Sequence, residues 1–304
     1  MPVPPAKIQR NILLADPHGF CTGVKRAIVL AEEAVAKSGG RIYCLNELVH
    51  NRLVVDRLAG SGMVFVKRIS DVPDGETVLF SAHGVSPAIR EEARNKGLNV
   101  IDATCVFVKK VHEAVKRYAA DGCSVLLIGS RTHDEVLGVA GEAPESVTVL
   151  ETVADAESVQ VPDPEKVAVL TQTTLADYQV RPIIDVLCRR FPNIRIPDKS
   201  SICFATTVRQ EAVRKIARDA EIVLVLGSRN SANSNRLVDV ARSEGTCAEL
   251  IPDIPALKAF AAEGHLDGVT EIGLTAGAST PEDVVDAARE FLEVIAKPRG
   301  RTGV

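Results

Sequence analysis

The chain has 304 residues, of which 46% are hydrophobic and 4% aromatic, and its formal net charge is −4. This length allows two or three lobes with buried cores, and the near balance of charge gives no support for binding nucleic acid or an anionic membrane. The absence of tryptophan and the few other aromatic residues argue against a surface that stacks nucleic-acid bases.

The N-terminal segment 1–10 is rich in proline and polar residues, which predicts a short disordered lead-in and not a signal peptide. No apolar run approaches the roughly 20 residues that span a bilayer. The chain contains seven cysteines. An odd number in a chain of this size argues against a disulfide framework and favours a reducing, cytoplasmic location.

Strand and helix patterns alternate along the chain, which predicts an α/β fold with mostly parallel sheets. Amphipathic patterns predict helices between the strands, such as one after residue 24 that stops at Gly39 and Gly40 and one that begins at Thr280 and Pro281. Apolar runs predict eight strands, at 11–16, 41–45, 77–82, 98–103, 124–129, 167–172, 221–227 and 271–277.

Several predicted strands end in short runs of small polar residues. In open parallel sheets, ligands bind beyond the carboxyl ends of the strands. The runs therefore predict one polar pocket, and their spacing gives the chain a weak threefold rhythm of strand, polar end and helix. They lie at 81–85, 129–135, 171–174, 227–235 and 275–280.

Cys21, Cys105 and Cys203 share one kind of position, where an apolar strand ends and a helix begins. They are too far apart in sequence for a local zinc knuckle, and their spacing suits one ligand from each α/β lobe. Backbone N–H groups and helix dipoles at these positions would stabilise an anionic cluster. The pattern predicts an iron–sulfur cluster with one iron lacking a protein ligand, and hence a catalyst. A three-thiolate zinc site and plain core packing are the alternatives.

Gly19 and Gly23 flank Cys21, so the backbone there can approach a bulky ligand closely. The remaining cysteines lie inside predicted strands or helices. Free cysteines in such places are usually small core residues. We therefore predict burial without a chemical role for Cys44, Cys123, Cys188 and Cys247.

Three histidines lie near predicted strand ends together with small polar residues. Each histidine by itself is more often an ordinary polar residue near a turn. Together, neutral and cationic donors from separate strand ends can bind a diphosphate without a P-loop, which this chain lacks. The predicted cradle consists of His50, His83, His133, Ser231, Asn233 and Ser279.

Glu135 follows His133 by two residues, so on an extended segment both side chains face the same way. A carboxyl group near an anionic ligand and a cluster holds its proton more tightly and can serve as a general acid. The alternative is a solvated loop glutamate.

The chain resembles the LytB/IspH family, the 4-hydroxy-3-methylbut-2-enyl diphosphate reductases of the methylerythritol phosphate route to isoprenoids. The resemblance extends in order from about residue 11 to residue 296. It rests on the segments GFCTGVKRA, HNRLVVDRL, FSAHGVS, IDATC, HDEVLG, TQTTL, SICFATTVRQEAV, GSRNSANSNRL and TAGAS.

The resemblance implies a trefoil of three pseudo-threefold-related α/β lobes around a 4Fe–4S cluster. The three cysteines at strand ends, Cys21, Cys105 and Cys203, match the family's cluster ligands. The lobes are expected at 11–105, 106–202 and 203–297, followed by a tail at 298–304.

The resemblance also implies the reaction. The allylic hydroxyl of the substrate binds the open iron, and two electrons and two protons remove it as water to leave isopentenyl and dimethylallyl diphosphate. Thr173 matches the threonine that orients this hydroxyl, Glu135 matches the proton donor, and the six cradle residues match the diphosphate contacts. A ferredoxin or flavodoxin is the expected electron donor, since the chain has no flavin or dinucleotide fingerprint.

Several positions depart from the family pattern while the expected ligands and the acid are kept. Among them are His18, Val106, Ser130, Val208 and Ala232, where the family usually has Arg, Pro, His, Asn and Ser. The departures allow a paralogue with a retuned pocket that acts on another small phosphorylated or phosphonylated alcohol. A non-catalytic redox or iron sensor is a further alternative, although a sensor would not need Glu135 or Thr173. Quinolinate synthase, which also has a three-cysteine cluster, lacks this set of motifs.

Overall fold

The computed structural model describes residues 10–38, 41–197 and 201–296. The predicted lead-in up to residue 9 and the tail at 298–304 lie outside the described residues. Arg10, assigned to the lead-in, is instead anchored, because its guanidinium donates hydrogen bonds of 2.8–3.1 Å to the carbonyl oxygens of Leu266, Val269 and Ile295.

Strands and helices alternate along the described residues. The strands are β1 (Asn11–Leu14), β2 (Ile42–Leu45), β3 (Met63–Val66), β4 (Thr77–Phe80), β5 (Asn99–Asp102), β6 (Ser124–Ile128), β7 (Val147–Leu150), β8 (Val167–Thr171), β9 (Ile222–Leu226), β10 (Cys247–Ile251) and β11 (Glu271–Ala276). The α-helices are α1 (Thr22–Ser38), α2 (Arg52–Gly60), α3 (Pro87–Asn95), α4 (Val106–Ala120), α5 (Asp134–Ala140), α6 (Val153–Ser158), α7 (Asp177–Arg190), α8 (Phe204–Ala217), α9 (Ala232–Ser243), α10 (Ile254–Ala262) and α11 (Glu282–Ala296).

The strands form three parallel sheets with one shared order. The sheets run β3-β2-β4-β5, β7-β6-β8 and β10-β9-β11-β1. Apart from β1, the strands of each sheet follow one rule. The strand that comes first along the chain (β2, β6 or β9) is an inner strand, the next one (β3, β7 or β10) forms an edge beside it, and the third (β4, β8 or β11) pairs on its other side. The prediction of an α/β fold with parallel sheets is confirmed, and the weak threefold rhythm of the sequence reappears as this repeated order.

All eight predicted strands are present, but the structure adds β3, β7 and β10, which the sequence analysis missed. Each of the three is the edge strand that follows the central strand of its sheet. They are only partly buried; β7 and β10 carry mixed patterns, and β3 is an apolar run of only four residues.

The described residues form two compact units, one from 21 to 206 and another from 10–20 with 207–296. Strand β1 pairs in parallel with β11, in register from Asn11 opposite Glu271 to Leu14 opposite Leu274. The predicted first lobe at 11–105 is therefore wrong in its first strand, because strand pairing joins segments distant in sequence. The other lobe boundaries stay predictions.

Each sheet is covered by apolar side chains that belong to its own unit. In the sheet β7-β6-β8, alternate residues point to opposite faces, so Leu126 packs in one buried cluster and Leu127 in another. This double burial explains why the central strands read as unbroken apolar runs. Among the described residues, no helix combines the length and the apolarity that crossing a bilayer requires.

Candidate active site

The predicted site residues gather at one topological position in each sheet. The chain leaves the first and third strands of a sheet in opposite directions, so a crevice opens between their carboxyl ends. The residues that follow these paired strands are His50 and His83 after β2 and β4, His133, Glu135 and Thr173 after β6 and β8, and Ser231, Asn233 and Ser279 after β9 and β11.

Three of the predicted diphosphate ligands form a cluster of rings in the unit 21–206. The rings of His50 and His83 are stacked, with centroids 4.0 Å apart. His133 meets both rings edge-on, at 5.3 Å from His50 and 5.7 Å from His83. The structure thus brings together side chains that are 33 and 50 residues apart in sequence.

Burial keeps His83 and His133 largely unprotonated. It lowers the pKa of His133 to about 4, with a further contribution from His50, and it lowers the pKa of His83 well below its usual range. His133 caps α5 by accepting the backbone N–H of Glu135 at Nδ1, 3.2 Å away. The neutral ring therefore carries its proton on Nε2, which is left to donate to a ligand.

An anionic ligand changes this balance. An anion bound beside His83 and His133 would favour their charged forms, so binding and uptake of protons would be coupled. His50 has a carboxylate partner already, because its Nδ1 lies 3.3 Å from Glu47 Oε2.

Glu135 is a buried acid held by one residue of the neighbouring strand end. The backbone N–H of Thr173 donates to its Oε1 at 2.7 Å, and the Thr173 hydroxyl donates to its Oε2 at 2.8 Å. Its side chain is almost fully buried, so the alternative of a solvated loop glutamate is wrong. The predicted acid and the predicted substrate-orienting threonine are thus in direct contact.

Burial raises the pKa of Glu135 to about 7, although the two hydrogen bonds from Thr173 pull it down. A carboxyl group with this pKa is partly protonated at neutral pH and can both give and regain a proton. Carboxyl groups displaced this far from their ordinary range concentrate at functional sites.

Cys21, Cys105 and Cys203 converge in the same unit. A Cβ atom at Gly23 would lie 2.7 Å from the Cys105 Sγ atom and 3.9 Å from the Cys21 Sγ atom, so only glycine leaves room there. The backbone N–H of Cys203 donates to the carbonyl oxygen of Thr173 at 2.9 Å. The third cysteine is therefore bonded to the same residue that holds Glu135.

The surroundings of the three thiols bear on whether they can form a metal ligand set. Burial raises the pKa values of Cys105 and Cys203, backbone N–H groups in the following helical turns oppose this, and the charges of the neighbouring cysteines raise them further. The backbone N–H of Val24 likewise lies 3.4 Å from the Cys21 Sγ atom. Three crowded thiols at helix N-termini fit a thiophilic metal centre or cluster, which would take the place of their protons.

We expect Gly23→Ala to weaken the metal centre without removing a ligand. The new Cβ would stand closer to the Cys105 sulfur than real contacts allow, so the thiol has to move. The loss in metal affinity should be about 10–100-fold, as for other changes beside a metal ligand. Titration of iron release against a chelator measures it, and unchanged iron retention would contradict the expected crowding.

The residues that follow β9 and β11 are described within their own unit, 10–20 with 207–296. Ser231 caps α9, and its hydroxyl accepts the backbone N–H of Ser234 at 3.2 Å. Asn233 is buried, and neither atom of its amide finds a hydrogen-bond partner within the described part of the chain. A buried amide in this state is a candidate ligand group, because leaving it unsatisfied costs free energy. Ser279 is buried as well.

Sequence reasoning missed several residues that support the site. Arg209, buried on α8, donates hydrogen bonds of 2.8 and 3.1 Å to the carbonyl oxygen of Gly19, in the loop that leads to Cys21. Gln172 ties two strand ends together, since its Oε1 accepts the backbone N–H of Ser130 at 3.1 Å. Arg209 and Gln172 lie within segments that carry the family resemblance, and this was the only sign of a role in the sequence. Their hydrogen-bond partners lie far away in sequence, so the contacts themselves could not be predicted.

His112 has a structural setting that the sequence did not reveal. Its Nδ1 lies 2.7 Å from Glu142 Oε1, with both side chains nearly buried. Its Nε2 lies against Gly84, where a Cβ atom would approach it to 2.8 Å. The pair therefore supports the loop that carries His83.

Two of the cysteines predicted to be buried are not. Cys44 and Cys123 are buried, as expected, but Cys188 and Cys247 are exposed. A lone cysteine in an amphipathic helix or at a strand end carries no sign of the face it occupies, so the sequence could not separate these cases.

A buried carboxyl group with a raised pKa lies beside three converging thiols, at the strand ends of parallel sheets, and this arrangement is typical of an α/β enzyme. The LytB protein family model matches residues 12–293. The chain therefore belongs to the LytB family, and the resemblance read from its motifs is confirmed.

Individual relatives agree with this placement. The 4-hydroxy-3-methylbut-2-enyl diphosphate reductase of Desulfotalea psychrophila is 48% identical over 282 residues, which cover 93% of this chain and 88% of the relative. The enzyme of the same name from Acidothermus cellulolyticus is 45% identical over 285 residues, with coverages of 93% and 83%.

Solved structures agree as well. The E-1-hydroxy-2-methyl-but-2-enyl-4-diphosphate reductase from Plasmodium falciparum superposes with a TM-score of 0.90 at 37% identity and covers 96% of this chain and 89% of that one. A second solved structure, an (E)-4-hydroxy-3-methyl-but-2-enyl diphosphate reductase, gives a TM-score of 0.66 at 32% identity, with coverages of 93% and 99%.

Proposed function

We propose that this protein is a 4-hydroxy-3-methylbut-2-enyl diphosphate reductase that removes the allylic hydroxyl of its substrate as water. Two electrons and two protons enter, and isopentenyl or dimethylallyl diphosphate and one water leave. The observation that carries the proposal is the buried Glu135, with a pKa near 7, hydrogen-bonded to Thr173 in the unit that holds the three thiols. The names of the relatives support the choice of substrate.

Cys21, Cys105 and Cys203 would hold a 4Fe–4S cluster. When bound, the cluster supplies the electrons and, at an iron without a protein ligand, a Lewis acid for the hydroxyl oxygen. The crowding of the thiols at Gly23 and the backbone N–H groups around them support this ligand set. Iron and sulfide content after anaerobic reconstitution separates a cluster from the zinc alternative.

The chain's own residues bind and orient the substrate. The Nε2–H group of His133 is available to a phosphate oxygen, and the adjoining rings of His50 and His83 supply further nitrogen donors. The resemblance assigns Ser231, Asn233 and Ser279 to the same diphosphate, and the unsatisfied amide of Asn233 supports its part. Holding the diphosphate fixes the allyl group in place, and positioning of this kind supplies much of an enzymatic rate.

Glu135 delivers a proton to the departing hydroxyl oxygen. Thr173 keeps the carboxyl group in place with its backbone N–H, and its hydroxyl can reorient from Glu135 toward the substrate. Burial excludes water, so the proton that leaves the carboxyl group goes to the substrate side of the site.

A ferredoxin or a flavodoxin supplies the electrons in this proposal, one at a time. The direct test is anaerobic reconstitution with iron and sulfide, followed by turnover of the diphosphate with dithionite and a viologen dye. Formation of product would support the assignment. If a cluster-loaded protein formed no product, this substrate would be ruled out.

A paralogue with a retuned pocket is the second candidate, because one departure lies directly at the predicted diphosphate contacts. Ala232, the first residue of α9, stands between Ser231 and Asn233 and has no hydroxyl to offer. Competition between the isoprenoid diphosphate and small phosphorylated or phosphonylated alcohols separates the two substrates.

The acid role of Glu135 predicts a pH dependence. Turnover at saturating substrate should be constant below about pH 7 and fall roughly tenfold per pH unit above it, because only the protonated carboxyl donates. A bound anion repels the carboxylate and raises the pKa of Glu135, so this falling limb of the pH profile begins at a higher pH. Glu135→Gln should lose the limb, and a wild-type profile without it would contradict the acid role.

The same raised pKa affects stability in a defined direction. The unfolded chain releases this proton near pH 4.5 and the folded chain near pH 7, so the folded state holds more protons in between. The contribution of Glu135 to the free energy of unfolding therefore falls as the pH rises from 4.5 to 7. Urea unfolding of wild type and Glu135→Gln across this range measures the difference.

A further inference from the structure

Two of the three converging cysteines are followed directly by large apolar side chains that face solvent. Val106 and Phe107, the first residues of α4, are 52% and 40% exposed, and Phe204, the first residue of α8, is 70% exposed. Single exposed apolar residues are common on any protein, but a group of them at one place marks an interaction surface.

These apolar residues adjoin the thiols through the backbone. The backbone N–H groups of Phe107 and of the residues after Phe204 lower the pKa values of the Cys105 and Cys203 thiols, so they lie close to the two sulfurs. The charges of the two cysteines act on one another, so the two thiols are neighbours. The exposed apolar side chains therefore follow directly on thiols that lie close together.

Helix α1 adds positive charge beside them. Lys25 and Arg26 are exposed in its second turn, directly after Cys21, and the segment 21–31 contains no acidic residue. Arg26 donates a hydrogen bond of 3.3 Å to the carbonyl oxygen of Thr104, which joins this basic turn to the start of α4.

Helix α4 adds a second basic turn. Lys110 is exposed, with its Nζ 5.3 Å from the centre of the Phe107 ring, and the segment 103–112 contains no acidic residue. Lys109 is partly neutralised, since its Nζ lies 2.8 Å from Asp102. The surface around the thiols is thus locally cationic on a chain whose net charge is −4.

We propose that this cationic apolar patch docks an acidic one-electron carrier protein. The patch consists of Lys25, Arg26, Val106, Phe107, Lys110 and Phe204. The inference rests on the proposed function, since a cluster between the thiols receives the electrons. Opposite charge steers the encounter, and a small apolar centre that excludes water gives short-lived but specific contact.

The electron count fixes how the patch is used. Each reduced carrier gives up one electron and leaves oxidised, so two carriers dock in turn for every hydroxyl removed. The two electrons replace the pair that leaves with the broken C–O bond, one proton departs with the hydroxyl as water, and the other proton forms the new C–H bond of the product. Fast release matters as much as binding, which suits a steered, salt-sensitive contact.

The test uses the reconstituted holoenzyme with an acidic 2Fe–2S ferredoxin as the probe. Lys25→Glu combined with Lys110→Glu should raise the KM for reduced ferredoxin, and the Kd for oxidised ferredoxin by calorimetry, by roughly 10–100-fold at low ionic strength. Turnover with dithionite and methyl viologen should stay at the wild-type level, because this small cationic donor needs no acidic docking partner.

Lys37→Glu combined with Lys166→Glu is the matched control. It makes the same charge change at the far end of α1 and at the residue before β8, both exposed. Phe204→Ser should weaken ferredoxin binding without changing the salt dependence. A wild-type KM and Kd in the Lys25 and Lys110 variant would overturn the docking site. If the wild-type holoenzyme showed no turnover with either ferredoxin or dithionite and methyl viologen, the proposed function would be ruled out. The Kd for ferredoxin measured by calorimetry would still test the docking site.

Discussion

Glu135→Gln should lower turnover by roughly 10²–10⁴-fold while substrate binding persists, because a positioned acid contributes about this much to a rate. The amide keeps the size of the side chain; its oxygen can accept the Thr173 backbone N–H, and its NH2 group can donate to the Thr173 hydroxyl. It has no proton of suitable acidity to give to the departing hydroxyl. Single-turnover product formation by the reduced holoenzyme measures the chemical step directly.

Glu142→Gln is the matched control, since Glu142 is another nearly buried glutamate of the same unit, bonded to His112. It should lower turnover far less than Glu135→Gln, because Glu142 acts only through the loop that carries His83. Thr173→Val should keep Glu135 in place through the backbone N–H but remove the hydroxyl contact. Near-wild-type turnover in Glu135→Gln would assign the protons to water or the diphosphate. If a cluster-loaded wild type also showed no turnover, the sensor alternative would gain.

Cys105→Ser should abolish the metal centre, with loss of the brown absorbance, of bound iron and of turnover. A serine hydroxyl is a hard, weakly acidic ligand and does not replace a thiolate on a soft metal centre. Cys105 lies at the crowded point beside Gly23, and its backbone N–H is tied to the carbonyl oxygen of Ala82 at 3.0 Å, so its side chain is held in place. The loss should exceed the roughly 100-fold limit typical of changes next to a ligand.

Cys188→Ser is the control for Cys105→Ser, because Cys188 is exposed and outside the thiol group. It should keep full iron content. Iron and sulfide analysis, together with the visible spectrum under anaerobic conditions, separates the two variants. Retention of the full spectrum in Cys105→Ser would remove this residue from the ligand set and turn attention to the remaining thiols.

The sequence predicted every inner strand and missed three of the edge strands. An inner strand of a parallel sheet is covered on both faces, so β6 reads as the unbroken apolar run SVLLI. Strands β7 and β10 lie at edges and are only partly buried, and they carry mixed patterns that many loops share. Strand β3 is apolar throughout, but a run of four residues does not by itself distinguish a strand from part of a buried helix.

The sequence also placed the site residues after the correct strands, since polar runs at strand ends are visible locally. It did not show that His50 and His83 stack, or that Thr173 holds both carboxyl oxygens of Glu135. These contacts depend on which strands become neighbours. The order with the first strand central, repeated in all three sheets, brings the ends of the first and third strands together.

By itself, the sequence determined the class of fold, the family and the residue types of the site, because periodicity, strand-end polarity and motif order are local properties. Only the tertiary structure decided that β1 joins β11, that Cys188 is exposed while Cys44 is buried, and that Glu135 has a pKa near 7. Pairing, burial and desolvation are set by residues far apart in sequence. The pKa of a carboxyl group depends on the water that the folded chain excludes around it.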